Sequence, residues 1–207
     1  MLRRSLAEIR LYSQKIDPTQ AFDFIPAKSA DLPDIVDLCT KSFMYEEPHS
    51  KALGAKPEIM KPLFEYIVAK SLQHPYSYRI HEKKTRNLIG FRLLSIGHRD
   101  HSLEIEPITF VEPSDPALKR LFLRREITHV VPKHQRKGIA NYLLHLGLDF
   151  DELRKQGIQG IVSEASSLAN QRLLDKHGYK CLYKPEYNLK MHDGTERIMV
   201  FFKDLRK

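Results

Sequence analysis

The stretch that decides the fold reads Val130-Val131-Pro132-Lys133-His134-Gln135-Arg136-Lys137-Gly138-Ile139-Ala140. Residues 121–131 lead into it, and their β-branched side chains predict a strand. After the stretch, apolar residues spaced four, three, four and three predict one face of a helix over 139–153. The sequence therefore predicts a strand, a basic turn and an amphipathic helix in direct succession.

The turn between this strand and this helix is suited to an anion. At a helix start the first backbone N–H groups have no partner within the helix, and the helix dipole favours negative charge there. Gly138 and Ala140 keep large side chains away from those amides, so that a pyrophosphate can rest on them. Neither the P-loop nor the Rossmann glycine pattern occurs. The alternative is an ordinary strand-to-helix connection with a surface basic cluster.

The turn Gln135-x-x-Gly138-x-Ala140, between a strand and an amphipathic helix, resembles the acetyl-CoA loop of the GNAT acyltransferase superfamily. The order of predicted elements fits too: strand, two helices, three strands, helix, strand, helix, two strands. The resemblance covers roughly residues 20–203 and implies an α/β (α+β) fold, in which a mixed, mostly antiparallel twisted sheet of about seven strands is flanked by four or more helices. We expect a single domain over 1–207, with a variable surface insertion at 97–118.

The composition is that of a soluble globular domain. Of 207 residues, 42% are hydrophobic and 29% are charged, and no run reaches the roughly 18 apolar residues of a membrane span. Cys39 and Cys181 lack the spacing of a disulfide framework or a cysteine-based zinc site. Residues 1–6 are basic, but Glu8 argues against a transit peptide. We expect a cytoplasmic protein that does not enter a membrane.

The formal net charge of +8 is compatible with nucleic-acid binding, but no block of lysine and arginine with interleaved aromatic residues stands out. A multiply phosphorylated ligand such as coenzyme A explains a basic excess equally well. We therefore expect no nucleic-acid partner.

The second informative segment is Glu46-Glu47-Pro48. With Phe43 before it and Lys51-Ala52-Leu53 after it, the segment resembles that of invertebrate-type arylalkylamine N-acetyltransferases. In that group the glutamate before the proline is the general base, and Glu47 is the residue that matches. A protonated amine must lose a proton before its lone pair attacks a thioester. A carboxylate in a partly dry site can accept that proton, directly or through water.

The neighbours of Glu47 are expected in the substrate site. Glu46 would attract a cationic amine through its charge, and Pro48 would lie beside it. The alternative is that both glutamates are solvated loop charges without a role in chemistry.

Two serines precede the last predicted helix. Ser166 matches a serine implicated in catalysis in the arylalkylamine group and is suited to relay a proton, although a helix N-cap explains it equally well. The resemblance places Ser167 where many GNAT enzymes have an asparagine that bonds the pantetheine arm, and Leu174 where they have a general-acid tyrosine. Asn170 is expected beside the same ligand. Because a thiol such as that of coenzyme A has a pKa near about 8.5, its thiolate leaves without a dedicated acid.

The remaining cofactor contacts follow from the same resemblance. The strand edge at His129, Val130 and Val131 would pair with the pantetheine arm, and a backbone N–H near Val130 or Val131 would polarise the thioester carbonyl. The pyrophosphate would be held by Gln135, Arg136, Lys137, Gly138, Ile139, Ala140 and Asn141. On a later strand, Tyr183 and Tyr187 either wall the acceptor site or are ordinary strand aromatics.

Four histidines attract attention without forming a recognisable site: His49, His129, His134 and His177. No His-x-x-x-His spacing occurs, so we expect no metal. Structural or surface roles are the simplest interpretation, with phosphate contact as an alternative for His134.

These features together predict an N-acetyltransferase that uses acetyl-CoA as acetyl donor. The acceptor would be a small primary amine such as dopamine, tryptamine or tyramine, which attacks acetyl-CoA directly in a ternary complex. We expect the protein to be a monomer or a homodimer. One alternative is a GNAT enzyme for polyamines, amino sugars or a protein amino terminus. Another is a catalytically silent acetyl-CoA-binding regulator, which the missing tyrosine keeps open. A nucleic-acid binder would instead lose affinity steeply with salt.

Overall fold

The computed structural model describes residues 17–104, 106–108, 126–184 and 190–206. Within them the strands are Phe22–Pro26 (β1), Tyr78–Glu82 (β2), Leu88–Leu94 (β3), Glu126–Val130 (β4), Gly160–Ala165 (β5), Lys180–Tyr183 (β6) and Met199–Asp204 (β7). The first four form one sheet in the order β1-β2-β3-β4, and the others form a second sheet in the order β5-β7-β6. Every ladder between described strands is antiparallel.

The helices lie against these sheets. They are Leu32–Leu38 (α1), Pro48–Ala52 (α2), Pro57–Ser71 (α3), Ile139–Leu143 (α4), Phe150–Lys155 (α5) and Leu168–Lys176 (α6). After α1 the chain continues through a π-helical segment, Cys39–Phe43, and a single turn, Met44–Glu46. In the described part of the chain, no helix is both long enough and apolar enough to cross a membrane.

Three groups of buried side chains hold the elements together. The first, between α1, α3 and the first sheet, is centred on Ile35, Met60, Phe64, Phe91 and Leu93. The second packs α4 against β1, β2 and β3 through Phe22, Ile80, Ile89, Ile139 and Leu143. The third joins α6 to the second sheet through Ala165, Leu174, Tyr179 and Phe201. Strand β3 is buried along its middle, as expected for a strand covered on both faces.

The predicted fold class is confirmed, with seven described strands flanked by helices in the expected order. The single sheet that we expected is two sheets in the described residues, because no ladder joins β4 to β5. Pro48 starts α2, at a position where its missing N–H costs nothing.

The prediction of one helix over 139–153 is wrong. The chain forms α4, then a turn, then α5. At the turn Gly147 has φ +64°, and a Cβ on it would lie 2.2 Å from the Tyr78 hydroxyl oxygen. Asp149 then caps α5, its carboxylate accepting from the N–H groups of Asp151 and Glu152 at 3.0 and 3.1 Å. Ile139, Leu143 and Leu153 of the predicted apolar face are nevertheless buried.

Several predicted features lie partly outside the described residues. Of the strand expected over 121–131, the described part is β4, and residues 121–125 are not described. The same holds for residues 105 and 109–118 of the expected insertion, for Tyr187 and for the amino-terminal residues 1–16.

Candidate active site

The predicted cofactor turn connects β4 to α4 through an unusual backbone. A 3-10 turn, Pro132–His134, is followed by Arg136 with φ 61° and Gly138 with φ 80°. Glycine adopts this left-handed region readily, whereas arginine does so at a cost of about 1–3 kcal/mol. Such outliers persist where the surrounding structure imposes them, and they concentrate at ligand-binding turns.

The side chains of the turn divide into buried and exposed ones. His134 is buried, its ring edge-on to Phe22 at 5.5 Å. Burial lowers the pKa of His134, and the nearby Lys137 ammonium acts in the same direction, so this ring is a neutral packing group. Gln135, by contrast, is exposed and donates from Nε2 to the Val130 carbonyl at 3.0 Å. The turn is therefore held in place by His134 and Gln135, whereas its cationic side chains are exposed to solvent.

The register of β4 corrects the predicted contacts of its backbone. The Val131 N–H donates to the Ile89 carbonyl at 2.9 Å, and His129 lies opposite Phe91 in the same ladder. Because successive residues of a strand point their N–H groups to opposite edges, His129 and Val131 both face β3. Val130 faces the other edge, which no ladder joins to β5. Two backbone N–H groups were proposed to polarise the thioester carbonyl, those of Val130 and Val131. Of these two, the Val130 N–H is the one directed away from β3.

Two predicted ligand residues from distant parts of the chain meet in one crevice. Ala140 of α4 and Asn170 of α6 line it together with Thr128 of β4. Its remaining lining residues are Arg92, Leu143, Leu144 and Leu173. The crevice therefore lies between α4, α6 and β4.

The start of α6 distinguishes the two serines. Ser167 is its N-cap, accepting from the Asn170 N–H at 3.2 Å, while the Leu168 N–H donates to Asp193 at 2.9 Å. The capping explanation considered for Ser166 is therefore wrong, and its half-buried hydroxyl precedes the cap. Leu174, at the position where many GNAT enzymes have a general-acid tyrosine, is fully buried.

The two adjacent glutamates have opposite environments. Glu46 is exposed, whereas Glu47 is 4% exposed. Glu47 caps α2: its carboxylate accepts from the His49 N–H at 3.1 Å, from the Ser50 N–H at 2.6 Å and from the Ser50 hydroxyl. Solvation as a loop charge thus describes Glu46 and not Glu47. Pro48, beside them, is buried as the first residue of the helix.

The segment that carries Glu47 is attached directly to β4. The Ser42 hydroxyl lies 2.9 Å from Nε2 of His129, and the His129 ring packs between Phe43 at 5.6 Å and Phe91 at 5.8 Å. Ser42 and Phe43 belong to the π-helical segment, a distortion that is frequent at functional sites. This contact joins the segment that precedes Glu47 to β4, the strand that leads into the cofactor turn.

Two further predicted residues contribute less. Asn141 accepts from Nε2 of His177 at 2.8 Å, and Nδ1 of His177 lies 2.9 Å from the His145 ring nitrogen. Burial, followed by the Lys176 and Lys203 ammonium groups, lowers the pKa of His177, so the ring is not the helix-end cation that its position suggests. Tyr183 is 62% exposed on the edge strand β6; its place in an acceptor site stays a prediction.

Comparison with known proteins identifies the fold. No family model and no curated protein sequence matches the chain. Among solved structures, arylalkylamine N-acetyltransferase 2 from Aedes aegypti superposes with a TM-score of 0.70 and 17% identity, over 89% of this chain and 99% of that one. The protein has the GNAT acetyltransferase fold.

Other GNAT structures with different substrates match as well. The Drosophila melanogaster polyamine N-acetyltransferase, which catalyses formation of N-acetylagmatine, has a TM-score of 0.62 at 10% identity and covers 88% of this chain and 99% of its own. A ribosomal-protein-S5-alanine acetyltransferase from Vibrio fischeri has a TM-score of 0.54 at 14% identity, over 90% of this chain and 94% of its own. At these identities the likeness establishes the GNAT fold, and the substrate has to be argued from the site.

Sequence reasoning missed Ser42 and Ser50 in this GNAT fold. Ser50 had a local signal, because a Glu-Pro pair followed by serine is typical of a helix start. The contact between Ser42 and His129 had none, since it joins positions 87 apart in the chain. His129 itself was expected to contribute backbone groups, and its side chain in addition contacts Ser42, Phe43 and Phe91.

The buried His129 predicts acid sensitivity. Desolvation lowers the pKa of His129 from 6.5 to about 4, so the unfolded chain takes up this proton more readily between those values. The contribution of the neutral His129 to the free energy of unfolding is therefore fully present above pH 6.5. It falls by about 3 kcal/mol as the pH drops toward 4. Urea unfolding at pH 7 and pH 4 measures the loss. His129→Gln, which cannot titrate, is expected to lose about 3 kcal/mol less, and an equal loss in both proteins would contradict the assignment.

Proposed function

We propose that the protein transfers the acetyl group of acetyl-CoA to a small primary amine, by direct attack in a ternary complex. The observation that carries the proposal is the buried, hydrogen-bonded carboxylate of Glu47, in a segment that Ser42 and His129 attach to β4. The segment around it, Glu46-Glu47-Pro48, resembles in sequence the one that holds the general base in arylalkylamine N-acetyltransferases.

The described residues fit acetyl-CoA as the acetyl donor. The turn from Gln135 to Asn141 offers backbone amides and basic side chains for the pyrophosphate. The pantetheine arm would follow the open edge of β4 toward the crevice shared by Ala140 and Asn170, with Ser167 nearby at the start of α6. The Val130 N–H is then directed at the thioester carbonyl, where negative charge develops during attack.

Proton transfer is assigned to the glutamates. Glu47 accepts the proton of the bound ammonium, directly or through water, as a buried carboxylate that the hydrogen bonds at the start of α2 hold in place. Glu46, exposed beside it, attracts the cation. The half-buried hydroxyl of Ser166 is a candidate for relaying a proton to the leaving thiolate, which the buried Leu174 cannot do.

An acetylation assay over an amine panel tests the proposal. Purified protein and acetyl-CoA are incubated with dopamine, tryptamine, tyramine, spermidine and agmatine, and both coenzyme A release and the acetylated product are measured. We expect transfer to at least one arylalkylamine. Preference for spermidine or agmatine would instead place the protein with the polyamine acetyltransferases that share its fold. Binding of acetyl-CoA without transfer to any amine would support a regulatory role.

The side chain of Arg136 is expected to contribute little to this binding. If backbone amides supply most pyrophosphate contacts, Arg136→Ala removes one exposed charge and raises the acetyl-CoA dissociation constant by only about threefold, within the range of an exposed ion pair. Isothermal titration calorimetry at two salt concentrations measures the change. A loss of more than about a hundredfold would transfer the main role to the side chain.

A further inference from the structure

Arg92 is a buried cation in the middle of β3, with 2% of its surface exposed. Its guanidinium donates to three backbone carbonyls. Nη1 binds that of Leu143, Nη2 binds that of Leu146 at 2.8 Å, and Nε and Nη2 bind that of Tyr76 at 3.3 and 2.7 Å. Hydrogen bonds from a charged donor are about twice as strong as neutral ones, so this side chain is a firm junction between β3 and the chain after α4.

Leu143 is the last residue of α4 and Leu146 lies in the turn that follows it, and α4 is too short to be stable by itself. With five residues, α4 is far shorter than the roughly 12–15 residues that an isolated helix needs. The last carbonyls of any helix lack partners, and a cation there also complements the helix dipole. The helix's own bonds beyond this point are long, from the His145 and Leu146 N–H groups to the Tyr142 carbonyl at 3.3 Å. Arg92 supplies hydrogen-bond donors and a positive charge at the carboxyl end of α4.

The turn after α4 is fixed by the same group of residues. The Arg92 cation lies over the Tyr78 ring at 5.0 Å from its centre. The hydroxyl of that ring occupies the space beside Gly147, where a Cβ would meet it at 2.2 Å. Arg92, Tyr78 and Gly147 therefore determine where α4 ends and how it is oriented on the sheet.

The other end of α4 is the candidate pyrophosphate turn. Gly138 is the N-cap of this five-residue helix, so little more than one helical turn separates it from the Leu143 carbonyl that Arg92 binds. Arg92 also lines the crevice shared by Ala140 and Asn170, and its neighbour on β4 in the ladder is Thr128.

We propose that Arg92 is a positioning residue for acetyl-CoA, which holds the carboxyl end of α4 so that the turn at its amino end keeps a binding shape. The inference rests on the proposed function, which assigns acetyl-CoA to that turn. If removal of the guanidinium leaves the turn correctly formed in only a fraction of molecules, the apparent dissociation constant rises by the inverse of that fraction. For about a tenth of molecules the rise is about tenfold. The chemistry at Glu47 is separate, so kcat at saturating acetyl-CoA changes little.

The test compares Arg92→Met and Arg92→Lys in the full chain with wild type. Calorimetry gives the acetyl-CoA dissociation constant, hydrogen exchange gives the protection of residues 139–143, and steady-state assays give kcat and both KM values. The matched control is Lys70→Met. Lys70 is also a buried cation, 8% exposed, and it binds Glu104 and Glu106 at 2.6 and 3.0 Å from α3.

For Arg92→Met we expect a dissociation constant raised about tenfold or more, faster exchange over 139–143, and kcat within about twofold of wild type. Arg92→Lys, which keeps a cation with fewer donors, is expected to recover part of the affinity. Lys70→Met is expected to lower the melting temperature without changing the dissociation constant.

Equal acetyl-CoA affinity in wild type and Arg92→Met overturns the inference and leaves the proposed function intact. If Arg92→Met does not fold, unchanged affinity and exchange in Arg92→Lys overturn it in the same way. A wild type that binds no acetyl-CoA overturns the proposed function, and the inference with it, so the wild-type titration separates the two failures.

Discussion

Glu47→Gln is expected to lower turnover by about two to four orders of magnitude, the range for loss of a general base. The amide keeps the size and polarity of the side chain but cannot accept the ammonium proton. Acetyl-CoA affinity should stay nearly unchanged, since the cofactor turn lies on other elements. Turnover over the amine panel and calorimetry with acetyl-CoA measure the two quantities separately.

The structure adds a complication to this variant, because Glu47 is also a helix cap. Its two oxygens accept from the N–H groups of His49 and Ser50, so the NH₂ group of glutamine faces a donor at one of them. We expect about 1–2 kcal/mol of lost stability in addition. Assays are therefore made well below the measured melting temperature.

Two control variants separate the roles of base, cap and charge. Ser50→Ala removes one donor to the Glu47 carboxylate but leaves the base, so turnover should fall by less than about tenfold. Glu46→Gln makes the same chemical change at the exposed neighbour and should mainly raise the KM for the amine. If Glu47→Gln retains most of its turnover on every amine, the proposed mechanism is wrong, and the likeness to arylalkylamine acetyltransferases reflects the fold alone.

Gly138→Asp is expected to abolish acetyl-CoA binding, which corresponds to an increase of at least about a hundredfold in the dissociation constant. The new carboxylate would stand at the N-cap of α4, where the pyrophosphate is proposed to lie, and would repel it. The φ of 80° at this position adds backbone strain for any residue with a Cβ, although aspartate tolerates this region better than most. Calorimetry on the folded variant measures the loss.

The chain offers a matched control for that backbone strain. Gly157 has φ 82°, and a Cβ on it meets no atom within 4 Å, so Gly157→Asp introduces the same strain and charge after α5. We expect a modest loss of stability from this control and acetyl-CoA affinity within about twofold of wild type, a difference smaller than about 0.5 kcal/mol. Equal affinities of Gly138→Asp and wild type would remove the pyrophosphate from the turn.

Local patterns in the sequence predicted most of the elements and their order. The apolar spacing after Gly138, the β-branched strands and the capping residues each act over a few neighbouring positions. The GNAT fold was predicted from that order together with the resemblance of the turn Gln135-x-x-Gly138-x-Ala140 to an acetyl-CoA loop, and the roles of the turn and of Glu46-Glu47 stay predictions. Arg92 stands out in the sequence as the single cation of the apolar run Leu88–Leu94, but the sequence does not indicate its partners.

Tertiary structure decided what those patterns could not contain. The split between α4 and α5 depends on Tyr78 of β2 and Arg92 of β3, which contact Gly147 and the neighbouring Leu146. The choice of Val130 over Val131 depends on the register with β3. Each of these outcomes is a contact between residues far apart in the chain, and periodicity along one segment carries no information about its partner.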